Sequence, residues 1–151
     1  PAKVAATRGY GATVVLEGKN YDESWIKAQE IAKTTGATII HAFDDSQIIA
    51  AQGVIGLEII EQLPDVAEIY VPIGGGGLAA GVLVAIKDKN PNVKVIGVES
   101  KSFPSMKKSL DSGKVETIEG GFTVADGISV RTPGKQTFEI IKDKIDEIVL
   151  V

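Results

Sequence analysis

The residues of this chain best placed to do chemistry carry no side chain. Gly74, Gly75, Gly76 and Gly77 follow the apolar run AEIYVPI (67–73) and lead into LAAGVLVAIKDKN (78–90), whose spacing is helical. A helix start leaves several backbone N–H groups without internal partners and carries the positive end of the helix dipole. Glycines in the preceding turn let those N–H groups approach an anion with no Cβ in the way. One glycine would mark a turn; four between strand and helix point to a phosphate cradle formed by the backbone of Gly74, Gly75, Gly76, Gly77 and Leu78. The competing reading is a tight strand-to-helix connection pressed against a neighbouring element.

The residues after the glycine run constrain the kind of phosphate. A nucleoside-triphosphate loop needs Lys and Ser or Thr after its last glycine, and Val82 and Leu83 come after Gly81 instead. A dinucleotide fingerprint is satisfied by Gly75, Gly77 and Ala80, with Glu99 at the end of the next strand where a ribose-binding acid belongs. Glycine runs meet that pattern in several registers, and four contiguous glycines make a rounder cup suited to one terminal phosphate. Among side chains, His41 is the single histidine. It ends a strand-like run and reads as structural.

These residues need elements to place them. ATVVLEG (12–18), ATIIHAF (37–43), AEIYVPI, NVKVIGVES (92–100) and DEIVLV (146–151) read as strands. Between them, Trp25, Ile26, Ala28, Ile31 and Ala32 form a helical stripe, with Asp22 as the expected cap and Gly36 as the stop. A long apolar helix opens at Asp44 or Asp45 and closes before Pro64; shorter helices are expected at PSMKKSLDSG (104–113) and GKQTFEIIKDKI (134–145). Strand runs alternating with helices predict an α/β fold, an open parallel sheet with helices on both faces. AEIYVPI is expected to be central, because it is apolar along its length. Ligands of such sheets bind at the carboxyl ends of strands, where the glycine run sits.

Bulk properties exclude several classes. The chain has 151 residues, a net charge of −4 and no cluster of Lys and Arg, which argues against a nucleic-acid surface. It has no cysteine, so disulfides and thiolate metal sites are excluded and a reducing, cytoplasmic setting is expected. No apolar run approaches the roughly 20 residues that span a bilayer, so no membrane partner is expected. The chain opens at Pro1 and stops on an apolar run, which reads as an excerpt of something longer.

PIGGGGLAAG (72–81) resembles the phosphate-binding loop of the fold-type-II pyridoxal-phosphate enzymes, specifically the threonine dehydratase and serine racemase family. KVAATRGYGATVVLEG (3–18), HAFDDSQIIAAQGVIGLEIIEQLP (41–64), VKVIGVE (93–99) and TVADGISVRTPGKQTFEII (123–141) are similar to family segments in the same order. HAFDD and ATRGYGA look more like the dehydratases than the racemases.

The resemblance implies pyridoxal 5'-phosphate as cofactor, with Gly74, Gly75, Gly76, Gly77 and Leu78 holding its phosphate. It implies that Gly127, in ADGI, passes close to the pyridine ring, and that Phe43 lies at the edge of the site. Glu99 matches a carboxylate with which some members hold a divalent cation; their second carboxylate falls where this chain has Ser105. One carboxylate is a poor hard-cation site, so a surface or loop-anchoring role is expected for Glu99. Residues 1–43 would be the C-terminal part of a small domain, and 44–151 most of a large one.

The implied reaction converts threonine to 2-oxobutanoate and ammonia, or serine to pyruvate and ammonia, in a homo-oligomer serving amino-acid metabolism such as isoleucine biosynthesis. The lysine that holds the cofactor in that family stands in an S-x-K-x-R-G motif, placed before the point where this chain begins. Of fourteen lysines Lys107, in SMKKS, stands after a serine at that spacing. It lacks the Arg-Gly and reads as solvent-facing, so no catalytic residue is expected within these residues. A racemase-like enzyme and a dinucleotide- or phosphate-binding module remain the alternatives.

Overall fold

The computed structural model describes residues 2–151, which fall into two compact units, one ending at Ile39 and the other running Ile40–Val151. His41 and Phe43 therefore belong with the second unit. No helix among the described residues is long and apolar enough to cross a membrane.

The first unit holds helices α1 (Ala2–Gly9) and α2 (Tyr21–Thr35). α2 starts at Asn20, not at Asp22: the Asn20 side chain accepts the Glu23 N–H at 3.0 Å, and the Glu23 carboxylate accepts the Lys19 N–H at 2.8 Å. This reciprocal arrangement satisfies donors at the helix start, and Asp22 instead lies in the first turn near the positive dipole end. α2 stops where expected, at Gly36 in the left-handed conformation. The strands expected at 12–18 and 37–43 are absent. A strand exists through its ladder to a neighbour, and neither run has a pairing partner among the described residues. No described residue of this unit is buried, so the stripe of Trp25, Ile31 and Ala32 is only half-covered.

The second unit contains three parallel strands, β1 (Glu68–Pro72), β2 (Lys94–Glu99) and β3 (Glu147–Leu150), in the order β1-β2-β3. Its helices are α3 (Ser46–Gln62), α4 (Gly77–Lys89), α5 (Ser105–Ser112) and α6 (Lys135–Lys144), with a single 3-10 turn at Asp126–Ile128. The fold is α/β with an open parallel sheet. β1 is not central, however. It pairs only with β2, and alternate residues (Glu68, Tyr70, Pro72) face out while Ile69 and Val71 are buried. An unbroken apolar run does not require two covered faces, and Pro72, lacking an N–H, suits an edge. β2 takes the centre, with Gly97 opposite Val71 on one side and Ile148 on the other.

The core forms where α4 meets the sheet and α3. Ile73, Leu83, Ile86, Val95 and Ile141 are wholly buried. α3 and α4 approach closely through glycines: a Cβ on Gly81 would lie against the Ile49 carbonyl and 2.7 Å from the Gly53 nitrogen, and one on Gly56 would lie 3.1 Å from the Val82 carbonyl. β2 is tied to the residue before β3 by Asp146, whose carboxylate accepts the Val95 N–H and pairs with Lys87, each at 2.7 Å.

The close helix approach sets an expectation for Gly81→Ala. In an open helix interior alanine gains about 1 kcal/mol over glycine. Here the added methyl meets backbone, and overpacking of about 2–3 kcal/mol should reverse the sign. Chemical unfolding should show net destabilisation; a more stable variant would contradict the packing described.

Candidate functional site

β1 carries the chain to Ile73, whose N–H still bonds the Val98 carbonyl at 2.8 Å; four residues later α4 has begun. Gly76 is the N-cap of α4 with φ of 98°, a conformation that disfavours side chains, and it supplies no side-chain cap. Protein surrounds the Cα positions of this turn. A Cβ on Gly74 would lie 3.1 Å from Ile128 Cα and Val130 Cγ2, and one on Gly75 would enter the Phe43 ring. On Gly76 it would lie 2.8 Å from the Thr137 side chain and 2.9 Å from Met106 Cε; on Gly77, 2.9 Å from Phe43 Cα. The tight-connection reading therefore explains why these residues are glycine. Their Cβ positions are closed by protein atoms, as that reading requires.

The N–H groups give a different result. None of the N–H groups of Gly74, Gly75, Gly76, Gly77 and Leu78 donates to a protein acceptor among the described residues. Gly75, Gly76 and Gly77 are buried. Buried orphan N–H groups are rare in folded proteins, and a run of them at a helix start is an anion-binding geometry.

The other helices of this unit are treated differently. Asp45 caps α3, accepting from Gln47 N at 2.8 Å and Ile48 N at 3.2 Å. Asp44, its neighbour, instead caps α6, some ninety residues on, accepting from Lys135 N, Gln136 N and Thr137 N at 3.0, 2.9 and 3.2 Å. Glu99 caps α5, accepting from Met106 N at 2.8 Å and Lys107 N at 2.9 Å. Three helix starts are thus closed by carboxylates, and α4 has none.

α6 in turn grips the glycine turn. The Gly75 carbonyl accepts the Gly134 N–H at 3.1 Å and the Thr137 hydroxyl at 2.7 Å. Thr137 is wholly buried. Neither Asp44 nor Thr137 was expected in this role.

His41 is structural, as expected. Its Nδ1 accepts the N–H groups of Phe43 and Asp44 at 3.1 and 2.7 Å, and its ring meets Phe43 edge to face. That fixes the turn which lays Phe43 over Gly75 and presents Asp44 to α6. Gly127 lies on the 3-10 turn, exposed, with its carbonyl oxygen 3.6 Å from where a Gly74 Cβ would stand. A Cβ on Gly127 itself would meet nothing within 4 Å, so protein packing gives no reason for glycine there. Lys107 is partly exposed and pairs with Asp111 at 3.2 Å.

Glu99 is wholly buried, so the surface role expected for it is wrong and the anchoring role right. The last residue of β2 points inward to the start of α5, and both its oxygens are engaged there. Among the described residues no group of three or more His, Cys, Asp and Glu could hold a metal. Ser105, next to the capped amides, donates its hydroxyl to the Val130 carbonyl at 2.9 Å. Burial raises the Glu99 carboxyl above the usual range, against the opposing pull of the Lys107 and Met106 N–H bonds.

The chain is related to known proteins over its full length. The pattern of the family described as pyridoxal-phosphate dependent enzyme matches residues 1–151, and the chain belongs to that family. It is 52% identical over 151 residues to an L-threonine ammonia-lyase of Geobacter sulfurreducens, covering all of this chain and 38% of that protein. It is 53% identical over 150 residues to an L-threonine ammonia-lyase of Thermotoga maritima, covering 99% of this chain and 37% of that one. Its fold superposes on the processed form of threonine deaminase isoform 2 from Solanum lycopersicum with a TM-score of 0.92 and 42% identity, over 99% of this chain and 44% of that one. The chain thus spans less than half the length of these relatives.

The Glu99 geometry predicts a pH dependence. Its raised value means that, just above the usual carboxylate range, the folded chain holds a proton the unfolded chain has released. Glu99's contribution to stability therefore falls as pH rises through that window. In urea unfolding from about pH 4 to about pH 7, the stability of the wild type minus that of Glu99→Gln should decline as pH increases. A difference that grows with pH would mean the cap bonds outweigh burial.

Proposed function

We propose that this chain is the cofactor-phosphate-binding part of a pyridoxal-phosphate-dependent threonine ammonia-lyase. The observation that carries the reading is the start of α4, where five consecutive N–H groups have no protein acceptor among the described residues while α3, α5 and α6 are each closed by a carboxylate. A carboxylate at α4 would compete with a phosphate for the same donors; its absence leaves the positive helix end to an external anion. Gly74, Gly75, Gly76, Gly77 and Leu78 take the cofactor's phosphate through their N–H groups. Gly127 borders the ring, where it keeps a side chain out.

When bound, pyridoxal phosphate supplies an electron-withdrawing ring that eases departure of an amino acid's α-proton and β-hydroxyl. The residues of this chain anchor and orient it. The N–H groups neutralise the phosphate, Phe43 walls the turn against water, and Ile128 and Val130 close the side of Gly74. Glu99 serves as the cap of α5, each of its oxygens accepting one backbone N–H.

The substrate assignment, threonine to 2-oxobutanoate and ammonia or serine to pyruvate and ammonia, rests on identity of 52–53% to proteins named as L-threonine ammonia-lyases. Residues up to Ile39 complete a small domain, and Ile40–Val151 supply most of the large, cofactor-binding one. The protein acts as a cytoplasmic oligomer in amino-acid metabolism, with 2-oxobutanoate available for isoleucine biosynthesis. Exposed Val54, Leu57 and Val84 on the α3–α4 face support association.

The test uses the full-length chain loaded with pyridoxal phosphate. Incubation with threonine should release ammonia and a keto acid in equal amounts, and inorganic phosphate added to the cofactor-free protein should shift the backbone amide resonances of Gly75–Leu78. Absence of keto acid from both threonine and serine would refute the activity. Unmoved amide signals would refute the cradle.

A further inference from the structure

A cradle of N–H groups binds only if the groups converge, and backbone amides have no freedom to turn alone. In a planar trans peptide unit the carbonyl of one residue and the N–H of the next point in opposite directions. Fixing the Gly75 carbonyl therefore fixes the Gly76 N–H. That carbonyl is held twice, by the Gly134 N–H at 3.1 Å and by the Thr137 hydroxyl at 2.7 Å. Both belong to the start of α6, so the Gly76 N–H is driven away from α6.

Thr137 is placed for this task by a residue remote in sequence. Asp44 accepts the N–H groups of the first turn of α6, including that of Thr137 itself, and its backbone carbonyl receives the Gln136 side-chain amide at 3.1 Å. The Asp44 carboxylate lies where a Gly134 Cβ would be, which brings it directly over the helix start. The Thr137 hydroxyl also lies 3.2 Å from the Gly134 carbonyl, but its one proton favours the shorter contact to Gly75. Its methyl-bearing Cβ abuts Gly76, so the same side chain sets both the carbonyl direction and the limit on the turn.

We propose that Thr137, seated by the Asp44 cap of α6, is a positioning residue that aims the Gly76 N–H at the cofactor phosphate. This rests on the phosphate-cradle reading of the α4 start. Thr137 touches neither phosphate nor substrate; it acts through the Gly75–Gly76 peptide unit. The role differs from simple core packing in one measurable respect. Loss of the hydroxyl should weaken binding of the phosphate group and leave the rest of the cofactor's binding unchanged.

The experiment measures dissociation constants of pyridoxal 5'-phosphate, pyridoxal and inorganic phosphate by calorimetry on the cofactor-free full-length chain. Thr137→Val, close in shape but without the hydroxyl, should bind pyridoxal 5'-phosphate and inorganic phosphate about tenfold more weakly, the equivalent of one lost positioning hydrogen bond. Its affinity for pyridoxal should stay at the wild-type value, and Thr137→Ser should restore the phosphate affinity. Equal weakening toward pyridoxal and its phosphate, no weakening at all, or failure of serine to restore binding would overturn the proposal. If Thr137→Val loses its cooperative melt, Asp44→Asn replaces it under the same criterion: a phosphate-selective loss supports the role, and an equal or absent loss overturns it. A wild type that binds pyridoxal as tightly as its phosphate would overturn the cradle reading as well.

Discussion

Between Ile73 and Gly77 the backbone must pass through a gap walled by Phe43, Thr137, Met106, Ile128 and Val130 and still leave its N–H groups unbonded. Those two demands conflict in an ordinary loop. A buried turn relaxes until its donors find acceptors, since each orphan costs on the order of 1–3 kcal/mol. Here relaxation is blocked from three directions. The Phe43 ring covers Gly75, α6 holds the Gly75 carbonyl, and Ile128 with Val130 closes on Gly74. The turn keeps its donors unbonded because the walls leave it no other path.

The distribution of acidic side chains obeys the same logic. A carboxylate at a helix start bonds the free N–H groups and meets the positive dipole end, which stabilises the helix by about 1 kcal/mol. Asp45, Asp44 and Glu99 do this for α3, α6 and α5. All three come from outside the first turn they close, and one of them, Asp44, from distant sequence. Only the α4 start goes without, and α4 is also the most deeply buried helix of the unit, with Ala79, Ala80, Val82, Leu83 and Ile86 in the core. Its stability comes from packing, so it can dispense with a cap that the shorter, more polar α5 and α6 need.

What could be read along the chain was what neighbouring residues determine. The glycine turn, the Asp45 start of α3, the Gly36 stop of α2 and the order of elements in the second unit all depend on a few adjacent residues. What depended on distant partners was missed. β1 looked central because it is apolar, yet Tyr70 faces out and only β2 pairs with it. The runs at 12–18 and 37–43 have strand composition, but no local pattern can supply the neighbour a strand needs. The Asp44 role left a faint signal. Two adjacent aspartates open α3 where one suffices, and α6 begins after Gly134 with no capping side chain of its own. A surplus cap and a missing one are complementary, but matching them across ninety residues takes the fold.

The support behind the turn reaches beyond the site. α4 carries the Gly77 and Leu78 N–H groups, so its axis must not shift. α3 fixes that axis through close contacts at Gly53, Gly56 and Gly81, where the facing backbone and the Cβ atoms of Ala85 and Gln52 leave no room for a further methyl. Such contacts permit little adjustment, because neither a backbone atom nor a Cβ can move without moving its helix. α3 is itself started by Asp45, one residue from the Asp44 that holds α6 and two from the Phe43 that covers Gly75. His41 ties that short stretch by accepting the N–H groups of both Phe43 and Asp44. The segment 41–45 thus fixes α3, α6 and one wall of the turn together, so a disturbance there would misplace the α4 donors without touching them. The histidine thus holds the turn in place through its Nδ1 contacts.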